Sequence, residues 1–66
     1  MNDRALEGRL VRVPDAARFL SSSRSFLYGL MEKGELEYVK IGRSRRIPEG
    51  PLAELVRRNL VPRRSE

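Results

Sequence analysis

The sequence contains no cysteine and no histidine. Their absence excludes disulfide frameworks, zinc sites built on Cys or His, thiol nucleophiles and imidazole general bases. No apolar run approaches the roughly 18 residues of a membrane span, and the chain has no glycine-rich phosphate loop. The charged residues suggest no pair of nucleophile and base. We therefore expect no enzyme, metal site, cofactor, small-molecule effector or membrane partner.

The chain is short and strongly charged. Its 66 residues are 39% hydrophobic and 35% charged, with a mean hydropathy of −0.53. This composition is too apolar for a fully disordered chain, and the length allows one small domain that buries roughly 60% of its unfolded surface.

Positive charge is in excess and unevenly placed. Fourteen Lys and Arg against nine Asp and Glu give a net charge of +5. Lys40, Arg43, Arg45 and Arg46 fall within seven residues, and residues 38–48 contain no acid. A small basic domain can simply be soluble, but this clustering favours a polyanionic partner, with nucleic acid as the first candidate.

The two ends of the chain differ from its middle. Residues 1–9 mix charges, lack the apolar region of a signal peptide and predict a loose arm in a cytoplasmic protein. Residues 62–66 begin with a helix-ending proline and predict a short tail. The predicted domain is residues 10–61, and we find no internal repeat.

Two helices are predicted in the first half of the domain. One begins near Pro14 and has an apolar face at i, i+3, i+4 and i+7, which consists of Val13, Ala16, Ala17 and Leu20. Ser23 is the expected N-cap of a second helix over residues 24–33, and Gly34 stands where a left-handed C-terminal residue belongs.

A hairpin and a third helix are predicted in the second half. Residues 38–41 alternate in polarity and predict a strand, residues 42–44 form a turn, and residues 45–48 form the return strand of the hairpin. Gly50 and Pro51 offer a cap and a first turn for a helix that extends to Asn59. The expected core is Leu20, Leu27, Leu30, Leu36, Ile41, Ile47, Leu52 and Leu55.

The order of helix, helix, hairpin and helix predicts a mainly α fold with a small β-hairpin, the winged helix-turn-helix. In that fold the second helix enters a DNA major groove and the hairpin, or wing, follows the backbone or minor groove. The candidate recognition-helix residues are Ser23, Arg24, Ser25, Phe26 and Tyr28. The candidate wing residues are Lys40, Arg43, Ser44, Arg45 and Arg46.

The candidate residues differ in the contacts that we expect. Arg24 can grip guanine in a bidentate contact that gives about 1–3 kcal/mol of discrimination. Ser25 is a phosphate or base contact or an ordinary first-turn residue. Tyr28 reaches a phosphate or is half-buried, and Phe26 meets a thymine methyl or, as we slightly favour, covers the core.

The wing arginines cannot all point outward, because side chains alternate along a strand. Arg45 lies two residues before Ile47 on the same strand, so the two side chains point to the same face of the sheet. We therefore expect one arginine of the return strand to cross the edge of the core and pair with an acid such as Glu35 or Glu37, and we rank Arg46 above Arg45 as a DNA contact.

The sequence resembles a known family, the excisionase-type DNA-binding domains, which are small relatives of the MerR winged helix-turn-helix. The resemblance covers residues 11–60 and is specific as a set. It is carried by Val13-Pro14-Asp15-Ala16-Ala17-Arg18-Phe19-Leu20, Ser23-Arg24-Ser25-Phe26-Leu27-Tyr28, Glu32-Lys33-Gly34-Glu35-Leu36 and Lys40-Ile41-Gly42-Arg43-Ser44-Arg45-Arg46-Ile47-Pro48. Arg12 departs from the family pattern, which usually has a Thr or Ser cap there.

The resemblance implies an excisionase, or recombination directionality factor, that binds repeated sites in double-stranded attachment DNA, bends the DNA and assists a separate integrase. Self-association along DNA and a nucleoid-associated, cytoplasmic location follow from this interpretation. A MerR-type regulator usually continues into a long dimerisation helix, and only five residues follow Val61 here, which favours excisionase use.

Two other interpretations stay open. One is a small promoter-binding regulator of the same fold. The other is a protein-interaction module that docks to a recombinase or an antitoxin-like partner, and it predicts little salt-dependent DNA affinity. An RNA-binding role is less favoured, since we find no aromatic pair on a sheet face.

Overall fold

The computed structural model describes residues 8–62. Its elements are β1 (Leu10–Arg12), α1 (Val13–Leu20), α2 (Arg24–Glu32), β2 (Val39–Ile41), β3 (Ser44–Pro48) and α3 (Glu49–Arg58). This order confirms the predicted winged helix-turn-helix and adds one strand. The predicted arm, except for residues 8 and 9, and residues 63–66 of the predicted tail lie outside the described residues.

The added strand, β1, pairs antiparallel with β3 and places Val11 opposite Ile47. The sheet order is therefore β1-β3-β2, with β3 in the centre. A three-residue strand has too few positions for an alternating pattern to show in the sequence. It forms here because β3 offers a free edge directly beside the start of α1.

Helix α1 follows β1 without a loop and ends in a tight turn. Arg12 occupies the N-cap and makes no side-chain capping bond, in agreement with the missing Thr or Ser. Ser21 closes the helix in a left-handed conformation with φ of +54°. The predicted apolar face is confirmed, since Val13, Ala16 and Ala17 are buried, although Leu20 is only half-buried.

Helix α2 is capped at both ends as the sequence predicts. The Ser23 hydroxyl accepts a hydrogen bond from the Phe26 N–H at 3.1 Å. At the other end Gly34 has φ of +76°, and the Glu35 N–H donates to the Leu30 carbonyl at 2.8 Å. This is the Schellman arrangement, which glycine adopts without steric cost.

The core joins the three helices, β3 and the segment between α2 and β2. Its members are Val13, Ala16, Ala17, Leu27, Leu30, Met31, Leu36, Ile47, Leu52 and Leu55. The prediction that Ile41 belongs to the core is wrong, because its side chain is 52% exposed.

The strand register explains the exposure of Ile41. Ile41 lies opposite Ser44, and Val39 lies opposite Arg46. Since Arg46 and Ile47 are neighbours on one strand, they point to opposite faces of the sheet. Val39 and Ile41 therefore share the face away from Ile47, and Tyr38 packs against the core instead.

Helix α3 begins two residues earlier than predicted. Its N-cap is Pro48, and Gly50 lies inside the first turn. The helix can begin there because the Glu49 N–H donates to the Arg9 carbonyl at 3.0 Å. The Glu49 carboxylate in turn accepts from the Arg9 N–H at 3.2 Å, which ties the chain before β1 to α3.

Candidate nucleic-acid interface

The first turn of α2 presents polar and cationic side chains to solvent. Ser23, Arg24 and Ser25 are exposed, and this turn contains no acid. Leu27 on the inner face of α2 is fully buried, which fixes the direction in which the outer face points. The expectation that Phe26 covers the core is wrong, since its side chain is 52% exposed.

The wing consists of β2, β3 and the two-residue turn between them. Gly42 opens this turn with φ of +62°, a value that matches the right-handed twist of a tight hairpin and favours glycine. The neighbouring side chains of Lys40, Arg43 and Ser44 are exposed. The tip of the wing is therefore a cationic projection on a short, well-defined hairpin.

Arg45 lies between the wing and α2. Its guanidinium carbon is 5.2 Å from the ring centroid of Tyr28 and 4.7 Å from that of Tyr38. It pairs with Glu32 at 3.0 Å, whereas the sequence predicted Glu35 or Glu37. The predicted inward arginine thus exists, but its acid comes from the last turn of α2, because the long Arg45 side chain reaches from β3 to that helix.

Arg46 lies directly opposite Arg12 in the register of β3 and β1. Like charges at directly opposed positions of a sheet repel each other. Within residues 8–62 neither side chain has an ion pair or a side-chain hydrogen bond. Sequence reasoning missed Arg12 as a candidate contact, because its position beside Arg46 depends on β1 and its register, which no local pattern reveals.

A polar hollow joins α2, the wing and the start of α1. The residues that line it are Arg12, Val13, Pro14, Tyr28, Arg43, Ser44, Arg45 and Arg46. The structure therefore brings five of the sequence-predicted site residues together and adds Arg12. Ser23, Arg24, Ser25 and Lys40 do not line the hollow, and Phe26 lines a separate apolar depression with Leu20 and Leu55.

The ion pairs of the domain leave this surface unneutralised. Arg18 pairs with Asp15, Arg57 with Glu54 and Arg45 with Glu32. Among the described residues, five cations at the N-terminal turn of α2, on the wing and on β1 take part in no such pair, namely Arg12, Arg24, Lys40, Arg43 and Arg46. Lys33, which also has no ion pair, lies at the opposite end of α2. This arrangement can bind an extended polyanion through several guanidinium and ammonium groups at once.

Comparison with protein families agrees with this geometry. The sequence profile of a family described as a helix-turn-helix domain matches residues 10–60. The chain belongs to the helix-turn-helix domain family. The family consists of DNA-binding domains found in excisionase-like proteins. No significant match to a curated protein or to a solved structure was found.

In this helix-turn-helix domain, α1 and α2 form the motif and residues 21–23 form its turn. The matched span includes β1 and α3, so the family covers the whole sheet and all three helices. None of the helices between residues 8 and 62 is long and apolar enough to traverse a bilayer.

Proposed function

We propose that the protein is a sequence-specific excisionase that binds and bends attachment-site DNA and assists a separate integrase in excision. The observation that carries the DNA-binding role is the set of five unpaired cations on α2, the wing and β1 of a helix-turn-helix domain. The excisionase role is supported by the resemblance of residues 11–60 to excisionase-type domains. Action on the cytoplasmic nucleoid is part of the proposal.

Helix α2 supplies the base contacts in this proposal. Arg24 and Ser25 stand at its exposed N-terminal turn, the part of a recognition helix that reaches base edges. Arg24 donates to guanine, and exposed Phe26 meets a thymine methyl. Ser23 uses its hydroxyl to cap the helix, so it positions the contact residues beside it.

The wing and β1 supply the phosphate contacts. Arg43 at the wing tip, with Lys40 and Ser44 beside it, follows the adjacent backbone or minor groove. Arg12 and Arg46 contact two neighbouring phosphates, which relieves the repulsion between the two guanidinium groups. Tyr28, which is 40% exposed, donates a hydrogen bond from its hydroxyl to the DNA backbone. Arg45 holds Tyr28 in place through the contact of its guanidinium with the ring.

Bending follows if several copies bind neighbouring sites. Bending a site of about 20–30 base pairs costs about 1–6 kcal/mol. One small domain forms few contacts to offset this cost, whereas several cooperative copies form many. A promoter regulator would use the same surface on a single operator, so the number of copies bound distinguishes the two roles.

A gel-shift titration at two salt concentrations tests the proposal. The DNA fragments carry the attachment region or the promoter beside the gene, and the variants are Arg24→Ala and Arg43→Ala. Arg18→Ala is the matched control, because Arg18 pairs with Asp15 on α1. We expect a ladder of cooperative shifts on attachment DNA that Arg24→Ala makes indiscriminate and Arg43→Ala weakens uniformly.

Each other result has a defined meaning. One discrete shift on promoter DNA would favour the regulator. Absence of any shift would overturn the DNA-binding role and leave the interaction module. A cooperative ladder without stimulation of excision in a reaction that contains the purified integrase would overturn the excisionase role alone.

A further inference from the structure

Helix α3 carries a self-complementary face that residues 8–62 leave exposed, apart from the hydrogen bond from the Arg9 N–H to the Glu49 carboxylate. Glu49, Gly50, Ala53, Val56 and Arg57 are all exposed, and they fall within about one third of the helix circumference at 100° per residue. The groove beside them is lined by Val11, Phe19, Leu52, Ala53 and Val56, with Glu49 and Arg57 at its margins. Phe19 is 70% exposed.

The residues of this face are arranged symmetrically about Ala53. Glu49 lies four residues before Ala53 and Arg57 four residues after it. Gly50 and Val56 lie three residues before and after. The face therefore has opposite charges at its two ends, a small and a branched residue inside them, and alanine in the centre.

From this symmetry we infer that two copies of the chain pack α3 against α3 in antiparallel orientation, related by a two-fold axis beside Ala53. Such an axis places Glu49 at the level of the partner's Arg57 and Gly50 at the level of the partner's Val56, and each pair occurs twice. The small residues Gly50 and Ala53 let the two helices approach closely, while Phe19 closes the groove on each side.

The charges of Glu49 and Arg57 favour the antiparallel orientation over a parallel one. A parallel two-fold pair would bring Glu49 level with the partner's Glu49 and Arg57 level with the partner's Arg57, and both contacts repel. The antiparallel pair turns both into attractions. Arg57 is available for this contact, because its pair with Glu54 is solvent-exposed and contributes little.

The dimer leaves the proposed DNA contacts free. None of the five residues lies on α2 or the wing, so the pair presents two copies of the cationic surface. The inferred contact is closed by its two-fold axis, which makes it different from an open chain of copies along DNA. It does not depend on DNA binding and can be tested without DNA.

Sedimentation of the full chain without DNA, from about 5 to about 500 µM, tests the association, since a single helix face is smaller than the interface of a tight dimer. We expect a reversible monomer–dimer equilibrium that stops at the dimer. Ala53→Glu places two carboxylates at the centre of the interface and should weaken association roughly tenfold or more. Ala53 is exposed, and thermal unfolding of the variant checks that it folds.

Exchange of the end charges tests the orientation. Glu49→Arg alone and Arg57→Glu alone each bring like charges together and should weaken self-association. An equimolar mixture of the two variants restores both attractions and should dimerise like the original chain. A monomer at every concentration, growth beyond the dimer, or a mixture no stronger than the separate variants would overturn the inference. Thermal unfolding of each variant identifies a folding defect.

Discussion

At the scale of single residues, Arg45 shows how the structure changes the role of a predicted contact. The sequence places it in a cationic cluster, and the structure places its guanidinium between two tyrosine rings with Glu32 beside it. Its Nη1 also lies 3.6 Å from the sulfur of Met31. Arginine suits this site because a planar cation can stack on aromatic faces and pair with an acid at the same time.

Replacement of Arg45 by alanine should therefore lower stability as well as DNA affinity. We expect a loss of about 1–2 kcal/mol in the free energy of unfolding, from two cation–π contacts and one partly exposed ion pair. Urea unfolding measures this loss. The control is Arg43→Ala at the exposed wing tip, which should change stability by less than about 0.5 kcal/mol.

A different pattern would contradict the assigned role of Arg45. If Arg45→Ala kept full stability and lost as much DNA affinity as Arg43→Ala, the side chain would be a direct phosphate contact. Arg45→Lys gives a further comparison, because lysine retains the charge but not the planar stack.

At the scale of the elements, two glycines of the α2 region differ in whether the backbone requires them. The helical conformation of α2 does not require Gly29, whereas the conformation just after the helix does require Gly34. Gly29 lies within the helix, and a Cβ added there would meet nothing within 4 Å. Gly34 has equally open space but a φ of +76°. Substitution of Gly29 therefore measures helix propensity, whereas substitution of Gly34 measures the cost of a positive φ.

Gly29→Ala should stabilise the protein by about 1 kcal/mol, because alanine favours the helix over glycine by that amount. Gly34→Ala should destabilise it by about 1 kcal/mol, since an L-residue with a Cβ pays that cost in the left-handed region. Thermal unfolding of both variants checks the pair. If both variants changed the unfolding temperature by the same amount and in the same direction, the helix end would not be held in the Schellman conformation.

The elements also show how far local patterns can predict this fold. The 3–4 periodicity predicted the buried face of α1, and the Ser23 cap and Gly34 termination of α2 are confirmed, because each depends on residues close in sequence. Strand β1 and the exposure of Ile41 could not be predicted in this way. Both depend on which residues pair across the sheet, and the pairing partners are distant in the sequence.

The candidate site likewise combines features that the local sequence predicts with features that depend on residues distant in the sequence. The cationic wing and the polar start of α2 are visible in the sequence as a charge cluster and a capped helix. The position of Arg12 opposite Arg46 arises from pairing between β1 and β3. The contacts of Arg45 with Tyr28 and Glu32 arise because its side chain reaches from β3 to α2. Neither contact has a local signal.

At the scale of the whole molecule, the unpaired cations predict how DNA binding responds to salt. Each phosphate that is neutralised contributes about −0.9 to the slope of log K against log salt concentration. The proposal gives phosphate contacts to four of these cations, all except Arg24, so the slope for one domain should be about −3 to −4. A cation that contacts a base instead makes the slope shallower. Fluorescence anisotropy on a single-site duplex at several salt concentrations measures the slope.

Arg12→Ala should make that slope shallower by about one unit, although Arg12 was not expected from the sequence to contact DNA. Arg18→Ala is the control, because Arg18 pairs with Asp15, and its slope should not change. An unchanged slope for Arg12→Ala would remove Arg12 from the interface.

The central position of β3 also affects how the sheet meets other chains. Its two edges are β1 and β2, each only three residues long, and β2 carries exposed Lys40 in its middle. A short edge with a lysine is a poor template for the addition of a further strand. The strand that holds Ile47 and Arg46 is shielded on both sides, so the domain resists edge-to-edge growth into fibrils.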